Sequence, residues 1–244
     1  MATTVVHPWH GIKAGSAELT HGSGALPKGV EPLVSCFIEI PRGSRAKFEL
    51  NAETGLVVLD RFLPLGVTYP SMYGEIPQTF CGEHTKAACQ AAVAHLSPVP
   101  LITKGDGDPL DIMVLAQDDP GTGVPAQGGF VLAGNVRIIG VIWMIDKGEA
   151  DPKIVAVMDN DPVFGRVTDV TQVPERVGDL VAFLESYKEE RLACGTLVAM
   201  RLPPTAPAPK RKVTIGGVSG PDSGVAVLRA AAADYDQKIR PQLR

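Results

Sequence analysis

The sequence predicts a mainly β protein with a smaller number of helices, the α+β class. Between residues 34 and 158, short apolar segments alternate with turns rich in Gly, Pro or Asn, which is typical of a small β-barrel or sandwich. A clear helical period appears only after that region. With 244 residues, of which 45% are hydrophobic, the chain can bury one sizeable core.

The predicted strands are short segments in which apolar residues follow one another or alternate with polar ones. Each is bounded by turn-forming residues, as strands of a compact β core are. They are VSCFIEI (34–40), AKFEL (46–50), GLVVLDRFL (55–63), DIMVLA (111–116), GFVLAGNVRIIGVIWMI (129–145) and KIVAVM (153–158).

The helices are predicted from the 3.6-residue period towards the end of the chain. The segment 173–190 begins with an acidic first turn and places four side chains on one face: Val177, Leu180, Leu184 and Tyr187. A final helix is predicted around 223–239. Between the two, PPTAPAPKRK (203–212) is too rich in proline for regular structure and indicates a surface loop.

Two further segments fall outside the β rhythm. Residues 1–30, rich in Gly, Ser, His and Pro, indicate an N-terminal arm or a poorly ordered leader. Residues 81–104 contain an Ala-rich run flanked by Pro, which indicates a helix inserted between two strands. We therefore divide the chain into an arm, 1–30, and one domain, 31–244, with this helical insertion and a C-terminal strand-and-helix extension, 202–244.

The insertion also carries four residues that invite a zinc interpretation: Cys81, His84, Cys89 and His95. Their spacing is unlike that of common zinc sites. Positions 89 and 95 are six apart, roughly 240° around a helix, so those two side chains do not converge. Zinc is the less favoured interpretation.

Composition excludes several classes of function. The net charge of −4 and a pI near 5.7 give no general affinity for nucleic acid or for an anionic membrane. No apolar run approaches the roughly 20 residues that span a bilayer, and the N-terminus lacks the pattern of a signal peptide. Four scattered cysteines predict reduced thiols and a cytoplasmic location: Cys36, Cys81, Cys89 and Cys194.

The stretch GDGDPLDIMVL (105–115) concentrates three aspartates: Asp106, Asp108 and Asp111. An EF-hand is excluded, because positions five, six and twelve of such a loop would be Leu110, Asp111 and Gln117. A polar turn explains Gly107 and Pro109 but leaves three carboxylates without a counter-charge. Metal binding is the favoured interpretation.

Other charged clusters lie on the neighbouring predicted strands. Lys47 and Glu49 are two apart, so a strand places them on one face, and the same alternation separates Glu39 from Ile38 and Ile40. Asp151 and Lys153 repeat the pairing after a turn that begins at Asp146. Any one pair could be the solvated face of a sheet. Clusters on consecutive strands of one small barrel are better explained as a shared site.

Charge balance indicates the chemistry of such a site. Seven carboxylates with Lys47, Arg61, Lys153 and Lys188 leave a charge of −3, which is costly in a cleft unless cations enter. Oxygen ligands favour Mg²⁺ or Mn²⁺. Roughly three or four Mg²⁺ and a substrate of about −4 bring the site near neutrality, which indicates phosphoryl transfer from a small, highly charged compound.

The same segments resemble the Mg²⁺-dependent family I of soluble inorganic pyrophosphatases. The matching runs, in the order and near the spacing of that family, are FIEIPRGSRAKFEL, LDRFLPLGVTYPSMYGEIPQT, DGDPLDIMVL, MIDKGEADPKIVAV and FLESYK, covering about 35–200. The resemblance implies a five-stranded OB-like β-barrel with flanking helices. It also implies hydrolysis of pyrophosphate to two phosphates by a metal-bridged hydroxide, and a homo-oligomeric assembly.

The resemblance also implies metal ligands. Asp106, Asp111 and Asp151 resemble the ligands of the tighter activating metal, and Asp111 also touches the second ion. Asp146, with Asp151, resembles the carboxylates that bind a metal arriving with substrate. Glu39 and Glu49 are placed towards additional metal, through water or Lys47.

The remaining implied roles concern the proton and the substrate. Asp108 resembles the base that takes a proton from the attacking water. Five residues resemble those that contact the substrate and the leaving phosphate in that family: Lys47, Arg61, Lys153, Tyr187 and Lys188. Tyr69 and Tyr73 resemble two hydroxyls of the same pocket, although core packing with a hydroxyl at the rim would also explain the tyrosines.

Two other functions are compatible with parts of the sequence. A related phosphohydrolase could act on a nucleotide or a polyphosphate, but no base-binding segment or P-loop is present in the sequence. A non-catalytic OB-type module for oligonucleotides would need basic grooves and stacking aromatics, whereas this chain is acidic and 5% aromatic.

Overall fold

A computed structural model of the protein describes residues 6–118, 129–187 and 213–243. Within those ranges ten strands are present: β1 (Leu33–Ile40), β2 (Ala46–Leu50), β3 (Val57–Phe62), β4 (Met72–Ile76), β5 (Lys104–Gly105), β6 (Leu110–Leu115), β7 (Phe130–Asp146), β8 (Glu149–Ala150), β9 (Lys153–Met158) and β10 (Val213–Ser219). The same ranges contain five α-helices: α1 (Pro8–Gly11), α2 (Ala17–His21), α3 (Glu83–Val93), α4 (Pro174–Ser186) and α5 (Pro221–Lys238).

Five of the strands form a closed ring of hydrogen-bonded pairs. The order is β1, β4, β6, β9 and β7, and the first half of β7 then pairs with β1. All of these pairs are antiparallel except β6 with β9. The second half of β7 pairs with β10, while β2 and β3 form a separate hairpin. This mixed sheet with its few helices confirms the predicted α+β class.

Alternate residues of the ring strands enter two different apolar cores. On β6, Ile112 and Val114 pack with residues of α3 and α5, whereas Met113 and Leu115 pack with residues of α4. This separation follows from the two-residue period of a strand, which sends successive side chains to opposite faces. Both faces of the central strands are therefore covered, which explains their continuous apolar runs.

The elements on the outside follow the sequence predictions in type. The insertion contains α3, and α4 buries the predicted face: Val177, Leu180, Leu184 and Tyr187. The final helix, α5, begins two residues earlier than predicted. The strand prediction missed β4, which is short and contains Gly74. The predicted loop 203–212 lies outside the described residues. None of the helices in the described ranges is both long enough and apolar enough to span a bilayer.

The N-terminal segment differs from a poorly ordered leader over residues 6–30. Trp9 and Leu19 are buried, and the Trp9 indole donates a hydrogen bond to the Thr79 carbonyl at 2.8 Å. Arg229 of α5 donates to the carbonyls of Leu19 and Glu18. The segment is thus attached to the body through α5. The division of the chain into an arm, 1–30, and one domain, 31–244, stays a prediction.

Candidate active site

The aspartate-rich loop between β5 and β6 is fixed by its own turn and by one neighbouring residue. Gly107 has a φ of +87°, a conformation that favours glycine, and the Asp108 amide donates to Asp106 Oδ1 at 3.1 Å. Cys81 lies just before α3. Its amide donates a hydrogen bond to the Asp108 carbonyl at 2.8 Å, and its carbonyl accepts one from the Gly107 amide at 3.1 Å. The start of the insertion therefore holds the backbone of this loop.

A β-bulge on β1 turns Glu39 towards the same region. The register of β1 against β4 shifts between Ile38 and Ile40, and these two isoleucines enter opposite cores. The predicted alternation, with both isoleucines on one face, is therefore wrong. The bulge adds one residue to the strand and re-aims the side chain there, as bulges near functional sites do. Glu39 is consequently buried, and its Oε1 accepts a hydrogen bond from the Leu50 amide at 2.5 Å.

Three charged residues lie side by side across the central strands. Glu75 of β4 is directly opposite Asp111 of β6, and Asp111 is directly opposite Lys153 of β9. Residues in such register have neighbouring side chains on one face of a sheet. The Lys153 ammonium contacts both Asp111 and Asp151, and it is almost fully buried. Topology thus gathers charges from strands that are far apart in the sequence.

These elements enclose a cavity of about 250 Å³ with an unusual excess of carboxylates. Two lysines, Lys47 and Lys153, and two tyrosines, Tyr73 and Tyr187, also line it. Among the described residues, its carboxyl groups are Glu39, Glu49, Glu75, Asp106, Asp108, Asp111, Asp146, Glu149 and Asp151. If all were ionised, nine negative and two positive side chains would leave a charge of −7.

Most residues singled out from the sequence are brought to this cavity, but two described residues, Arg61 and Tyr69, are not among those that line it. Arg61 lies opposite Lys47 on the β2–β3 hairpin and pairs with Asp60 at 2.6 Å. Tyr69 is buried next to Tyr73, with ring centroids 5.3 Å apart. Lys188 lies outside the described residues.

The crowding of carboxyl groups raises their pKa values. Desolvation by the cavity wall, followed by the charges of Asp111 and Asp151, raises the pKa of Asp108 to about 6. Burial and then Asp111 raise the pKa of Glu39 to about 8. The pKa values of Asp106 and Glu75 are also raised, by burial first and then by Asp151 and Glu39 respectively. Burial among like charges therefore makes each of these carboxyl groups harder to ionise.

The lysines supply part of that positive charge. Lys47 contacts Glu49 and lies 3.1 Å from Asp60. Burial alone would lower the pKa of Lys153, but Asp111 and Asp151 raise it well above its usual range. In the described part of the chain, no three His, Cys, Asp or Glu side chains are already arranged around a point where a metal ion could bind. The ammonium of Lys153 lies between two of the carboxylates proposed as ligands.

The residues predicted from the sequence do not include Glu75, Glu149 and Asp60. Glu75 is two residues from Tyr73, so the period of a strand would have placed both on one face. Glu149 follows the turn at Asp146 and pairs with Lys104 at 2.8 Å. Asp60 contacts the cations of both Lys47 and Arg61. The only sign of these contacts in the sequence is that Asp60 directly precedes Arg61.

The residues of the insertion that suggested zinc have other contacts. Cys81 and Cys89 are buried, and desolvation raises the pKa of the Cys89 thiol to about 12. His84 Nδ1 lies 2.8 Å from Asp234 Oδ1, and His95 Nδ1 lies 2.9 Å from the Ala92 carbonyl.

The family model for inorganic pyrophosphatase matches residues 36–200, more than half of the chain. The chain belongs to the inorganic pyrophosphatase family. It is 37% identical over 187 residues to soluble inorganic pyrophosphatase 2 of Chlamydomonas reinhardtii, covering 76% of this chain and 75% of that protein. It is 33% identical over 233 residues to inorganic pyrophosphatase of Chlamydia muridarum, covering 95% of each.

Solved inorganic pyrophosphatases share the fold. The structure of the Thermus thermophilus protein has 28% sequence identity and a TM-score of 0.58, covering 90% of this chain and 99% of that one. The structure of the type I protein from Toxoplasma gondii gives a TM-score of 0.64 at 21% identity, covering 95% of this chain and 88% of that one. The predicted fold and family are therefore confirmed, and the five-stranded ring corresponds to the barrel expected of inorganic pyrophosphatases.

Proposed function

We propose that this protein hydrolyses inorganic pyrophosphate to two phosphates in the carboxylate-lined cavity. The observation that carries the proposal is the composition of that cavity, in which nine carboxyl groups and two lysines surround about 250 Å³. A space of this size and charge suits a small anion that enters with cations. The family membership of the chain supports the same substrate.

The donor set fits Mg²⁺, with Mn²⁺ as a substitute. The cavity offers oxygen ligands, which hard divalent cations prefer, and the raised pKa values of Asp108 and Glu39 indicate missing positive charge. The residues that would hold three to four such ions are Asp106, Asp111, Asp146, Asp151, Glu39 and Glu49. When bound, Mg²⁺ would neutralise phosphate oxygens and make a nearby water more acidic.

Other side chains of the site would accept the proton of the attacking water and neutralise the leaving phosphate. Asp108 would accept the proton of the water that attacks one phosphorus, and its pKa of about 6 suits a proton acceptor near neutral pH. The bond from that phosphorus to the bridging oxygen then breaks, and the second phosphate leaves. Lys47 and Lys153, with Arg61 and Lys188, would neutralise the departing charge, because fixed cations need no reorganisation during the reaction.

The tyrosines would orient the substrate. Tyr73 and Tyr187 line the cavity, while Tyr69 packs behind Tyr73 and 4.8 Å from Phe183 by ring centroids. Phe183 of α4 stacks on Tyr187, the residue that follows this helix, with ring centroids 4.8 Å apart. This aromatic group fixes the ring positions, so that the hydroxyls of Tyr73 and Tyr187 meet phosphate oxygens in a set geometry.

A comparison of substrates tests the proposal. With Mg²⁺ present, we expect the full-length protein to release phosphate from pyrophosphate at a far higher kcat/KM than from ATP or tripolyphosphate. A preference for ATP or tripolyphosphate would favour the alternative, a phosphohydrolase for nucleotides or polyphosphates. Oligonucleotide binding without phosphate release would instead indicate a non-catalytic OB-type module.

The proposed setting of the enzyme is a homo-oligomer in the cytoplasm that acts without nucleic acid or membrane. The support for this setting is the acidic composition and, in the described residues, three buried free cysteines, which are typical of a reducing compartment: Cys36, Cys81 and Cys89. Light scattering of the purified protein measures the assembly directly.

A further inference from the structure

Glu75 is a buried carboxyl group of the cavity to which the family resemblance gives no role. It lies on β4 between Phe37 of β1 and Asp111 of β6, and it is 5% exposed. Its side chain lines the cavity. A carboxylate in such a place is stable only with hydrogen bonds or a cation close by.

The protein itself supplies Glu75 with few hydrogen bonds and no free cation among the described residues that line the cavity. Oε1 of Glu75 is buried and has no hydrogen-bond partner among the described residues. The ammonium of Lys153 contacts Asp111 and Asp151, and that of Lys47 contacts Glu49 and Asp60. Both lysines of the cavity are thus engaged elsewhere.

The nearest charges are moreover of the same sign. Asp111 is directly opposite Glu75 in the β4–β6 pair, and two like charges in that position destabilise a sheet. Glu39 is buried on the other side, on the bulge of β1, and uses Oε1 to accept from the Leu50 amide. Three carboxyl groups from three adjacent strands therefore border one side of the cavity.

We propose that Glu75 is a further cation ligand, which binds a hard divalent ion together with Asp111 and Glu39. Such an ion would supply the partner that Oε1 lacks and would separate the opposed charges of Glu75 and Asp111. The inference rests on the proposed function, since it uses the same cavity and the same class of cation. It adds a ligand on the β1–β4 side, away from Asp106 and Asp151.

Direct binding of Mn²⁺ to the full-length protein tests this role without an activity assay. Electron paramagnetic resonance counts the bound ions and gives their affinities for the wild type and for Glu75→Gln. We expect Glu75→Gln to weaken one Mn²⁺ site by about tenfold or more, the size of effect seen when a supporting group of a metal site is removed. The matched control is Glu149→Gln, which removes the same charge from the same cavity but from a carboxylate already paired with Lys104.

The glutamine substitution separates the proposal from its main rival, a permanently protonated Glu75. Glutamine has the shape of the neutral acid, so unchanged Mn²⁺ affinity in Glu75→Gln would overturn the proposal. Equal weakening in Glu75→Gln and Glu149→Gln would also overturn it, because total charge would then explain both. If Glu75→Gln does not fold, Glu75→Asp serves instead, and the shorter carboxylate should keep the full number of sites at reduced affinity. A wild type that binds no Mn²⁺ would contradict the cation requirement of the proposed function itself.

Discussion

At the scale of single residues, the three aspartates of the loop 105–111 differ in their surroundings. Asp108 is exposed at the rim of the cavity, and its pKa of about 6 leaves it able to take up a proton near neutral pH. Asp111 is engaged with Lys153 and faces Glu75 across the strand pair. Asp106 accepts a hydrogen bond from the Asp108 amide. Of the two carboxyl groups that flank Gly107, that of Asp106 is the more buried. These differences are the basis for the different roles proposed for the three side chains.

Replacing Asp108 by asparagine tests its role as proton acceptor. Asparagine keeps the size and one oxygen but cannot take up the proton of the attacking water, so we expect turnover to fall by about 10²–10⁴-fold. Mn²⁺ binding, measured by electron paramagnetic resonance, should be largely retained. The matched control is Asp179→Asn on the exposed side of α4, which should leave turnover unchanged. Undiminished turnover in Asp108→Asn would remove Asp108 from this role.

Much of the site could be predicted at this scale, because the charged residues recur at two-residue spacing on neighbouring strands. Lys47 with Glu49 and Asp151 with Lys153 show that spacing, and both pairs line the cavity. Glu75 was missed since a single acidic residue in MYGEI has no charged neighbour two residues away. Its importance comes from register across β4 and β6, which one sequence does not display.

At the scale of elements, Asp234 of α5 caps the first turn of α3. Its carboxylate accepts from the amides of Gly82, His84 and Thr85 at 2.9–3.0 Å and from the Thr85 hydroxyl at 3.0 Å. The first amides of a helix lack intrahelical partners, and here a residue distant in sequence satisfies them. The Phe80 amide also donates to the Ala231 carbonyl of α5. The insertion is therefore held on the C-terminal helix.

Removing this cap should destabilise the protein. We expect Asp234→Ala to lower the free energy of unfolding by about 2–4 kcal/mol, because three buried or partly buried amides lose their acceptor together. Urea unfolding followed by circular dichroism measures the change. The matched control is Asp236→Ala on the same helix, whose partly exposed pairs with His21 and Arg240 should contribute about 0–1 kcal/mol. A loss in Asp234→Ala no larger than in the control would contradict the capping role.

The same cap predicts a pH dependence with a defined sign. Burial alone would raise the pKa of Asp234, but the hydrogen bonds from the His84 and Thr85 amides outweigh it and lower the pKa below 3.8. The carboxylate therefore contributes its full stability above about pH 3.8, and that contribution is lost as the pH falls through the lowered pKa. The stability difference between wild type and Asp234→Ala should accordingly shrink in acid.

Elements were predictable where their period was long and unbroken. The apolar face of α4 and the strands β2, β6 and β9 fall close to the predicted bounds. The bulge on β1 was not predictable, because alternation in FIEIP gives no sign of an extra residue. The capping of α3 by Asp234 is likewise a tertiary contact across some 150 residues of chain.

At the scale of the whole molecule, the protein combines a closed ring of strands with a strongly anionic cavity. The ring holds both apolar cores, and the charged side chains project from its strands and from the β2–β3 hairpin. Such a concentration of carboxylates is costly to fold, and cations that bind only to the native state would offset the cost. We therefore expect activity to depend strictly on divalent cations.

A Mg²⁺ titration of pyrophosphate hydrolysis measures this dependence on divalent cations. Phosphate release by the full-length protein should be absent when a chelator removes divalent cations, rise steeply with added Mg²⁺, and return with Mn²⁺. The same Mg²⁺ additions should raise the Tm of the substrate-free protein. Hydrolysis that persists at full rate in the presence of the chelator, or no hydrolysis of pyrophosphate at any Mg²⁺ concentration, would contradict the account.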